Sequence, residues 1–291
     1  MAPKSPPGYV LASLAVSMGG LMNGYDTGSI GAVISMPQFE ATIGALSPTL
    51  VGFTVSVIML AGAVPSVFAG WLADHYGRLQ IILLGSVLFC VGALLQGTAY
   101  GLAQFLLGRT VAGLGEGVYL SNMAVYISEI SPTKSRGVLS GLPQFMATAG
   151  VCLGYFTCYG SVYLRESSMA WRLPFIMMVV MSVVLIGWCA RLPESPRWSM
   201  SRGDQPAALD ALRRLDFSMV EAEKNFMSAG AVAEQRVSLT LWQSLAILFR
   251  RGYRARTILA LFVLGMVQLC GIDGVLYVSA ERPGISIPNR L

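Results

Sequence analysis

The chain has 291 residues, of which 54% are hydrophobic and only 12% are charged, and its mean hydropathy is +0.62. About a quarter of the residues of a soluble domain are charged, so this composition excludes a soluble domain and, with it, a nucleic-acid binder, a disordered tail and a secreted disulfide scaffold. The net charge of +5 indicates an acidic partner only if the basic residues gather on a surface where such a partner could bind.

Six apolar runs long enough to cross a bilayer fill most of the first 190 residues. They are Val10–Ile34, Leu50–Ala73, Ile81–Tyr100, Leu102–Met123, Val138–Tyr159 and Leu173–Ala190. Each has 18 residues or more and lies between polar or Gly/Pro-containing turns, and one bilayer crossing needs ~20 apolar residues. The first run continues past the length of a secretory signal, so it predicts a retained helix. The sequence therefore predicts six transmembrane helices, and a further run at Ile258–Ala280 predicts a seventh.

A charged segment separates the sixth run from the seventh, and it contains no stretch of membrane length. Leu209, Leu212 and Leu215 recur on one side of a segment that begins after Pro206, which predicts a short amphipathic helix. A second polar helix is expected over 219–235. The predicted organisation is a six-helix transmembrane bundle at 1–190, a cytoplasmic helical insert at 191–257, a seventh transmembrane helix at 258–280 and an atypical tail at 281–291.

The basic residues predict how the helices are oriented. If the N-terminus is cytoplasmic, fifteen of the twenty Lys and Arg residues lie on its side of the membrane, four lie on the other side and one lies within a span. An excess of Lys and Arg near span ends is typical of the cytoplasmic side. We therefore predict a cytoplasmic N-terminus and insert, and the positive charge requires no nucleic-acid partner.

Four ionisable residues lie inside the predicted spans: Asp26, Arg109, Glu116 and Asp273. A charge at a helix centre costs ~2.5–3.5 kcal/mol on insertion scales, so these groups are expected to face an internal cavity and one another. Asp26 and Arg109 have opposite signs and lie in the first and fourth spans, which suits a pair across a water-filled centre. Such a pair is either structural or a proton site that switches as the pair opens and closes. Glu116 lies two turns from Arg109, ~10.5 Å along the helix, which is too far for a direct bond.

Small residues recur at four-residue spacing in three spans. Gly113 and Gly117 flank Glu116, but a phosphate-binding glycine loop would have to follow a strand, and here the flanks are membrane helix. The spacing instead predicts close helix packing. The same spacing occurs at Gly62, Ser66 and Gly70 in the second span and at Gly150 and Gly154 in the fifth.

No enzyme, metal site or cofactor is expected from these residues. His75 is the single histidine and lies in a short turn, where a solvated surface group is expected. The five cysteines form no CxxC pair and all lie within predicted spans, which indicates small buried apolar residues. They are Cys90, Cys152, Cys158, Cys189 and Cys270.

A series of short motifs, each weak alone, is highly specific in its order and spacing. The motifs are Gly24-Tyr-Asp-Thr-Gly28, Gly70-Trp-Leu-Ala-Asp-His-Tyr-Gly-Arg78, Gly108-Arg109 with the glycines that follow, Tyr126-Ile-Ser-Glu-Ile-Ser-Pro132 leading to Arg136-Gly137, Gln144, Pro193-Glu-Ser-Pro-Arg197, and Gln268-Leu-Cys-Gly-Ile-Asp273 with Tyr277. Over about Met18–Ser279 the chain resembles the sugar porter family of the major facilitator superfamily, and the fungal hexose and disaccharide permeases within it most closely.

The resemblance implies an all-α membrane protein: a 3+3 inverted-repeat bundle, a cytoplasmic insert and a seventh helix, all part of a twelve-helix transporter that alternates access to a central sugar site. It implies transport of a hexose or disaccharide, with a proton as coupling ion and no cofactor, in the plasma membrane. Asp26 and Arg109 match the proton-coupling pair of the symporters. Gln144 and Gln268 match sugar-binding positions, and Asp273 stands where the family has an asparagine. The residues that match the cytoplasmic charged motifs which fasten the halves together are Asp74, Arg78, Glu129, Arg136, Glu194 and Arg197.

The chain also departs from the family pattern. The paired glutamines of the seventh helix appear here as Val267-Gln268, and His75 replaces a basic residue. After Ser279 the sequence resembles nothing in the family, so helices eight to twelve, and with them the half that completes a transporter, are expected to be missing. The alternative to a transporter is therefore a non-transporting sugar sensor or an inactive fragment.

Overall fold

Long helices form at the apolar runs in a computed structural model of the chain, which describes residues 6–164, 167–217, 247, 249–250 and 252–270. The described residues are helical and contain no strand. The helices are α1 Gly8–Ile34, α2 Pro37–Ile43, α3 Pro48–Tyr76, α4 Arg78–Gly97, α5 Leu102–Ile130, α6 Arg136–Ser161, α7 Met169–Cys189, α8 Pro196–Ser201, α9 Gln205–Arg214 and α10 Arg254–Leu269. The all-α class predicted from the sequence is confirmed.

Four of these helices, α3, α4, α6 and α7, are long and apolar enough to cross a membrane. Helices α1 and α5, with 27 and 29 residues, are as long, but they carry charged residues in their interiors, Asp26 in α1 and Arg109 and Glu116 in α5. The ends of the helices differ from the apolar runs: α5 continues from Met123 to Ile130. The helix continues beyond the apolar run because no proline interrupts it before Ile130. It ends there because Pro132 disfavours a helical conformation at the residue before it. This extension carries Glu129 to the end of α5.

The long helices pair in a regular pattern. Helix α1 packs against α6, α3 packs against α5, α4 packs against both α5 and α7, and α7 packs against α1. The first three long helices are α1, α3 and α4, and their counterparts in the next three are α5, α6 and α7, in that order. When each helix is replaced by its counterpart, the α1–α6 pair becomes the α5–α3 pair, and the α4–α5 pair becomes the α7–α1 pair. The pairing is therefore the one that a 3+3 repeat produces.

Glycines hold these helices at backbone contact. A Cβ at Gly117 would lie 2.0 Å from the carbonyl oxygen of Gly62, so α3 and α5 touch where small residues were predicted to pack. The prediction is wrong for Ser66 and Gly70, which are exposed, and a Cβ at Gly70 would meet nothing within 4 Å. Ser66 and Gly70 lie on the side of α3 that does not face α5. The residue of this turn that faces α5 is Ala69, which is buried and whose backbone carbonyl oxygen accepts a hydrogen bond from α5.

Helix α9 begins where the sequence predicted, because Pro206 stands in its first turn and Asp204 caps its N-terminus through a 3.1 Å hydrogen bond from the Ala207 N–H. Its buried side consists of Ala208, Ala211 and Leu212. The second polar helix expected at 219–235 lies outside the described residues.

The segment after α9 attaches to the start of α1. Tyr9 donates its N–H to the carbonyl oxygen of Leu215 at 3.1 Å, and Gly8 donates its N–H to Asp216 Oδ2 at 2.8 Å. The rings of Tyr9 and Phe217 lie 5.4 Å apart. The described part of the insert is thereby fastened to the first helix.

The chain divides into two compact units, 1–233 and 234–291. The described helix of the second unit, α10, begins four residues before the predicted seventh run, and residues 271–280 of that run lie outside the described residues. Of the cysteines, Cys158 and Cys189 are buried among the helices, whereas Cys152 and Cys270 are exposed. Exposure on the outer side of a membrane helix is compatible with an apolar thiol.

Candidate functional site

A buried ion pair joins α1 to α5. Arg109 Nη1 donates to both carboxylate oxygens of Asp26, at 2.8 Å to Oδ1 and 3.0 Å to Oδ2. The exposed fraction of the side chain is 0% for Arg109 and 5% for Asp26. The structure therefore brings together the two residues of opposite charge that the sequence singled out.

The guanidinium of Arg109 also reaches a third helix. Its Nε donates to the carbonyl oxygen of Thr54 at 3.2 Å, and its Nη2 donates to that of Val55 at 3.1 Å, both in α3. The expected water-filled centre between the pair is wrong for this conformation, because three packed helices enclose the guanidinium. Every nitrogen of Arg109 thus has an acceptor, as a buried charge requires.

A second polar contact connects the same two helices on a less buried side. The Asn23 side-chain amide donates to Glu116 Oε1, and both residues are half-buried. Sequence analysis considered Glu116 but missed Asn23. The signal was available, because Asn23 lies one helical turn before Asp26 and so shares its side of α1.

The residues expected to bind sugar are placed as follows. Gln144 lies on α6 with its side chain exposed. Its backbone carbonyl oxygen accepts a 3.1 Å hydrogen bond from the Thr148 hydroxyl. Gln268 lies on α10. Asp273 lies outside the described residues.

A cluster of charges forms where α3, α4, α5 and α8 end or begin. Arg78 Nη2 lies 2.6 Å from Asp74 Oδ1, and Arg78 Nε lies 3.3 Å from Glu129 Oε2. Ser195 donates its hydroxyl to the same carboxylate of Glu129 at 2.5 Å. One guanidinium therefore links α3 to α5 through α4, and a serine at the start of α8 joins the network.

Glu194, which also matches the charged motifs, contacts backbone N–H groups. Its carboxylate accepts the N–H of Leu79, at 3.0 and 3.1 Å to its two oxygens, and the N–H of Ser195 at 3.0 Å. Leu79 is the second residue of α4, where backbone N–H groups lack partners within the helix. Glu194 thus supplies the negative charge that stabilises this helix N-terminus.

The remaining two residues that match the charged motifs, Arg136 and Arg197, lie close enough to influence each other. Arg136 donates to the carbonyl oxygen of Ser131 at 3.3 Å and makes no ion pair with a carboxylate of the described residues. Burial lowers the pKa of the Arg197 guanidinium, its neighbour Arg136 lowers it further, and Glu129 opposes both effects. His75 is exposed at the end of α3, as expected for a surface residue.

These contacts define what the site can do chemically. Over the described residues, no three His, Cys, Asp or Glu side chains are close enough to hold a metal ion. The Asp26–Arg109 contact instead holds α1 and α5 together through an ion pair that is shut off from solvent.

Comparison with known proteins gives concordant matches. Residues 12–281 match the family model described as sugar (and other) transporter. The MFS-type transporter criB of Aspergillus cristatus is 32% identical over 262 residues, covering 89% of this chain and 56% of that protein. The arabinose-proton symporter of Bacillus subtilis is 30% identical over 278 residues, covering 94% of this chain and 58% of that protein. This chain therefore spans a little over half the length of these curated relatives.

Solved structures show the same fold. The inward-open conformation of the xylose transporter XylE from E. coli superimposes with a TM-score of 0.70 at 20% identity, over 92% of this chain and 63% of that chain. Together with the family match, this likeness places the helical architecture among those of multi-pass membrane transporters rather than enzymes.

Proposed function

The chain belongs to the sugar transporter family of the major facilitator superfamily, and from that premise we propose that the whole protein carries a sugar across a membrane together with a proton by alternating access. The single observation that carries the proton-coupling part is the buried contact of Asp26 with Arg109. A membrane-embedded charge pair of this kind is costly to keep, which favours a functional role.

The geometry indicates which contact a proton would release. Protonation of Asp26 removes the negative charge that Arg109 Nη1 faces, while Nε and Nη2 keep their acceptors on α3. The link between α1 and α5 therefore weakens, and the link between α5 and α3 persists. Since α1 packs along α6, movement of α1 relative to α5 would also reposition α6, which carries Gln144.

We assign sugar binding to Gln144, Gln268 and Asp273. Gln144 supports this assignment because an exposed amide within an apolar helix is unfavourable against lipid and favourable against water or a polar ligand. We propose a hexose or disaccharide as the sugar, on the resemblance to fungal permeases. The relative from Bacillus subtilis is named for arabinose, a pentose, so the test compares a pentose with a hexose and a disaccharide.

The proposed setting is the plasma membrane, with the N-terminus and the insert in the cytoplasm. The supporting observation is the excess of basic residues at one end of the bundle, where Arg78 and Arg136 begin α4 and α6. In this orientation the cluster around Arg78 and Glu129 lies on the cytoplasmic side. We propose that this cluster and Glu194 hold the cytoplasmic ends together in the outward-facing state.

The experiment measures sugar-driven proton uptake by a full-length relative in proteoliposomes, with Asn introduced at the position that matches Asp26. The expected result is loss of proton uptake, while exchange of labelled sugar for unlabelled sugar continues. The matched control is Asp210→Asn, since Asp210 is an exposed carboxylate on α9. Unchanged proton uptake in the Asp26→Asn variant would refute the coupling role.

A further inference from the structure

A groove opens where α1 begins and α7 ends. It is a cavity of about 340 Å³, and its lining includes Leu11, Leu14, Trp188, Arg191 and Arg214. We refer to these five residues as the interfacial groove. Its volume lies at the lower end of the range typical of small-molecule sites, about 300–1,000 Å³.

The groove lies at the edge of the apolar part of the bundle. Helix α7 is one of the apolar helices of membrane-spanning length, and it ends at Cys189. Trp188 is 44% exposed on its last turn, and Arg191 follows two residues after the helix. Tryptophan and then arginine at the end of a span is the pattern of a membrane–water interface.

The apolar and the charged parts of the groove come from different elements. Leu11 and Leu14 are 51% and 39% exposed on the first turns of α1, so together with Trp188 they form an apolar wall that continues the lipid-facing surface. Arg191 and Arg214 are exposed above it. Arg214 donates to the carbonyl oxygen of Arg191, which holds the two arginines beside each other.

Neither Arg191 nor Arg214 forms an ion pair with a described carboxylate. Glu194, three residues after Arg191, accepts from backbone N–H groups instead. Asp216, two residues after Arg214, accepts from the N–H of Gly8, which also lines the groove. Two guanidiniums against one carboxylate leave the groove with a net positive charge next to an apolar wall at a membrane boundary, which is complementary to a phosphodiester that carries acyl chains.

We infer that the interfacial groove binds an anionic phospholipid, with the headgroup phosphate between Arg191 and Arg214 and an acyl chain along Leu11, Leu14 and Trp188. The charge complementarity selects an anionic lipid over a zwitterionic one, in which a quaternary ammonium would oppose the arginines. The inference depends on the chain lying in a membrane and not on the transport of any sugar.

The test is native mass spectrometry of the full 291-residue chain in detergent, titrated with phosphatidylserine or with phosphatidylcholine of the same acyl chains. Phosphatidylserine is expected to bind more tightly. Arg191→Gln and Arg214→Gln are each expected to weaken phosphatidylserine binding about fivefold, the effect of one basic residue near an anionic surface, and to leave phosphatidylcholine binding unchanged. Trp188→Ala is expected to weaken the binding of both lipids.

The matched control is Arg213→Gln, which removes an exposed arginine from the same turn of α9 but not from the groove. Thermal melts in the same detergent establish that every variant is folded. An equal loss in Arg213→Gln and Arg214→Gln would overturn the inference, since the effect would then be general surface charge. Equal affinity for the two lipids, or displacement of phosphatidylserine by inorganic phosphate, would overturn it as well.

Discussion

Replacement of Asp26 by alanine is expected to leave Arg109 as a buried charge without a counter-ion. Removal of one partner from a buried ion pair typically costs about 3–5 kcal/mol of unfolding free energy. Arg109 keeps two of its acceptors, the carbonyl oxygens of Thr54 and Val55, so the expected loss lies at the lower end, about 3 kcal/mol. Asp26→Asn is expected to cost less, because a neutral carbonyl acceptor remains for Nη1.

The measurement is a denaturant titration of the detergent-solubilised chain, followed by tryptophan fluorescence, to which the buried Trp171 contributes. The single variants Asp26→Leu and Arg109→Met and the double variant Asp26→Leu/Arg109→Met form a mutant cycle. The double variant is expected to lose much less than the sum of its single variants, since a buried pair replaced by apolar groups is often neutral. Asp210→Ala, in an exposed position, is expected to stay within about 0.5 kcal/mol of the parent. A loss below about 1 kcal/mol for Asp26→Ala, or additive losses in the cycle, would refute the claim that the pair is buried and coupled.

Three further predictions concern packing, the end of α4 and the sugar site. Gly24→Ala places a methyl group 1.8 Å from the Ala147 carbonyl oxygen, so it is expected to lower the unfolding free energy by about 1–3 kcal/mol, the cost of overpacking. Gly70→Ala places its methyl group where no atom lies within 4 Å, so it is expected to raise the unfolding free energy by up to about 1 kcal/mol. Equal effects of the two variants in thermal melts would contradict the α1–α6 contact. Glu194→Gln is expected to cost about 1 kcal/mol by the same denaturant titration, since a neutral amide accepts more weakly at a helix N-terminus; no loss would mean that the carboxylate does not stabilise α4. Ala at the position matching Gln144 in a full-length relative is expected to raise the KM for sugar uptake at least tenfold, about the effect of one lost hydrogen bond in a buried site, with unchanged protein in the membrane; an unchanged KM would remove Gln144 from the sugar site.

The sequence predicted the helices and the ion pair because both depend on strong, local physical effects. An apolar run of ~20 residues has few alternatives to a membrane helix, and opposite charges such as Asp26 and Arg109 within spans lower their cost by meeting. The family resemblance identified the same pair independently, and it anticipated the fold that the structure shows.

Other parts of the site could not be predicted because their partners are backbone atoms or depend on helix phase. The carbonyl oxygens of Thr54 and Val55 leave no trace in the side-chain pattern, so the contact of Arg109 with α3 was not foreseen. The same holds for Glu194, whose carboxylate meets backbone N–H groups at the start of α4. The exposure of Gly70 depends on which side of α3 faces α5, and four-residue spacing alone does not determine that side.

An infrared difference spectrum of a full-length relative, recorded between alkaline and acidic conditions with sugar present, identifies the membrane carboxylate that binds the coupled proton. We expect one component of the protonated-carboxyl band that forms on acidification to be missing from the variant with Asn at the position matching Asp26. The corresponding Glu116→Gln variant distinguishes the other membrane carboxylate and is expected to keep that component. An unchanged band in the Asp26→Asn variant would contradict the account, because the proton would then bind elsewhere.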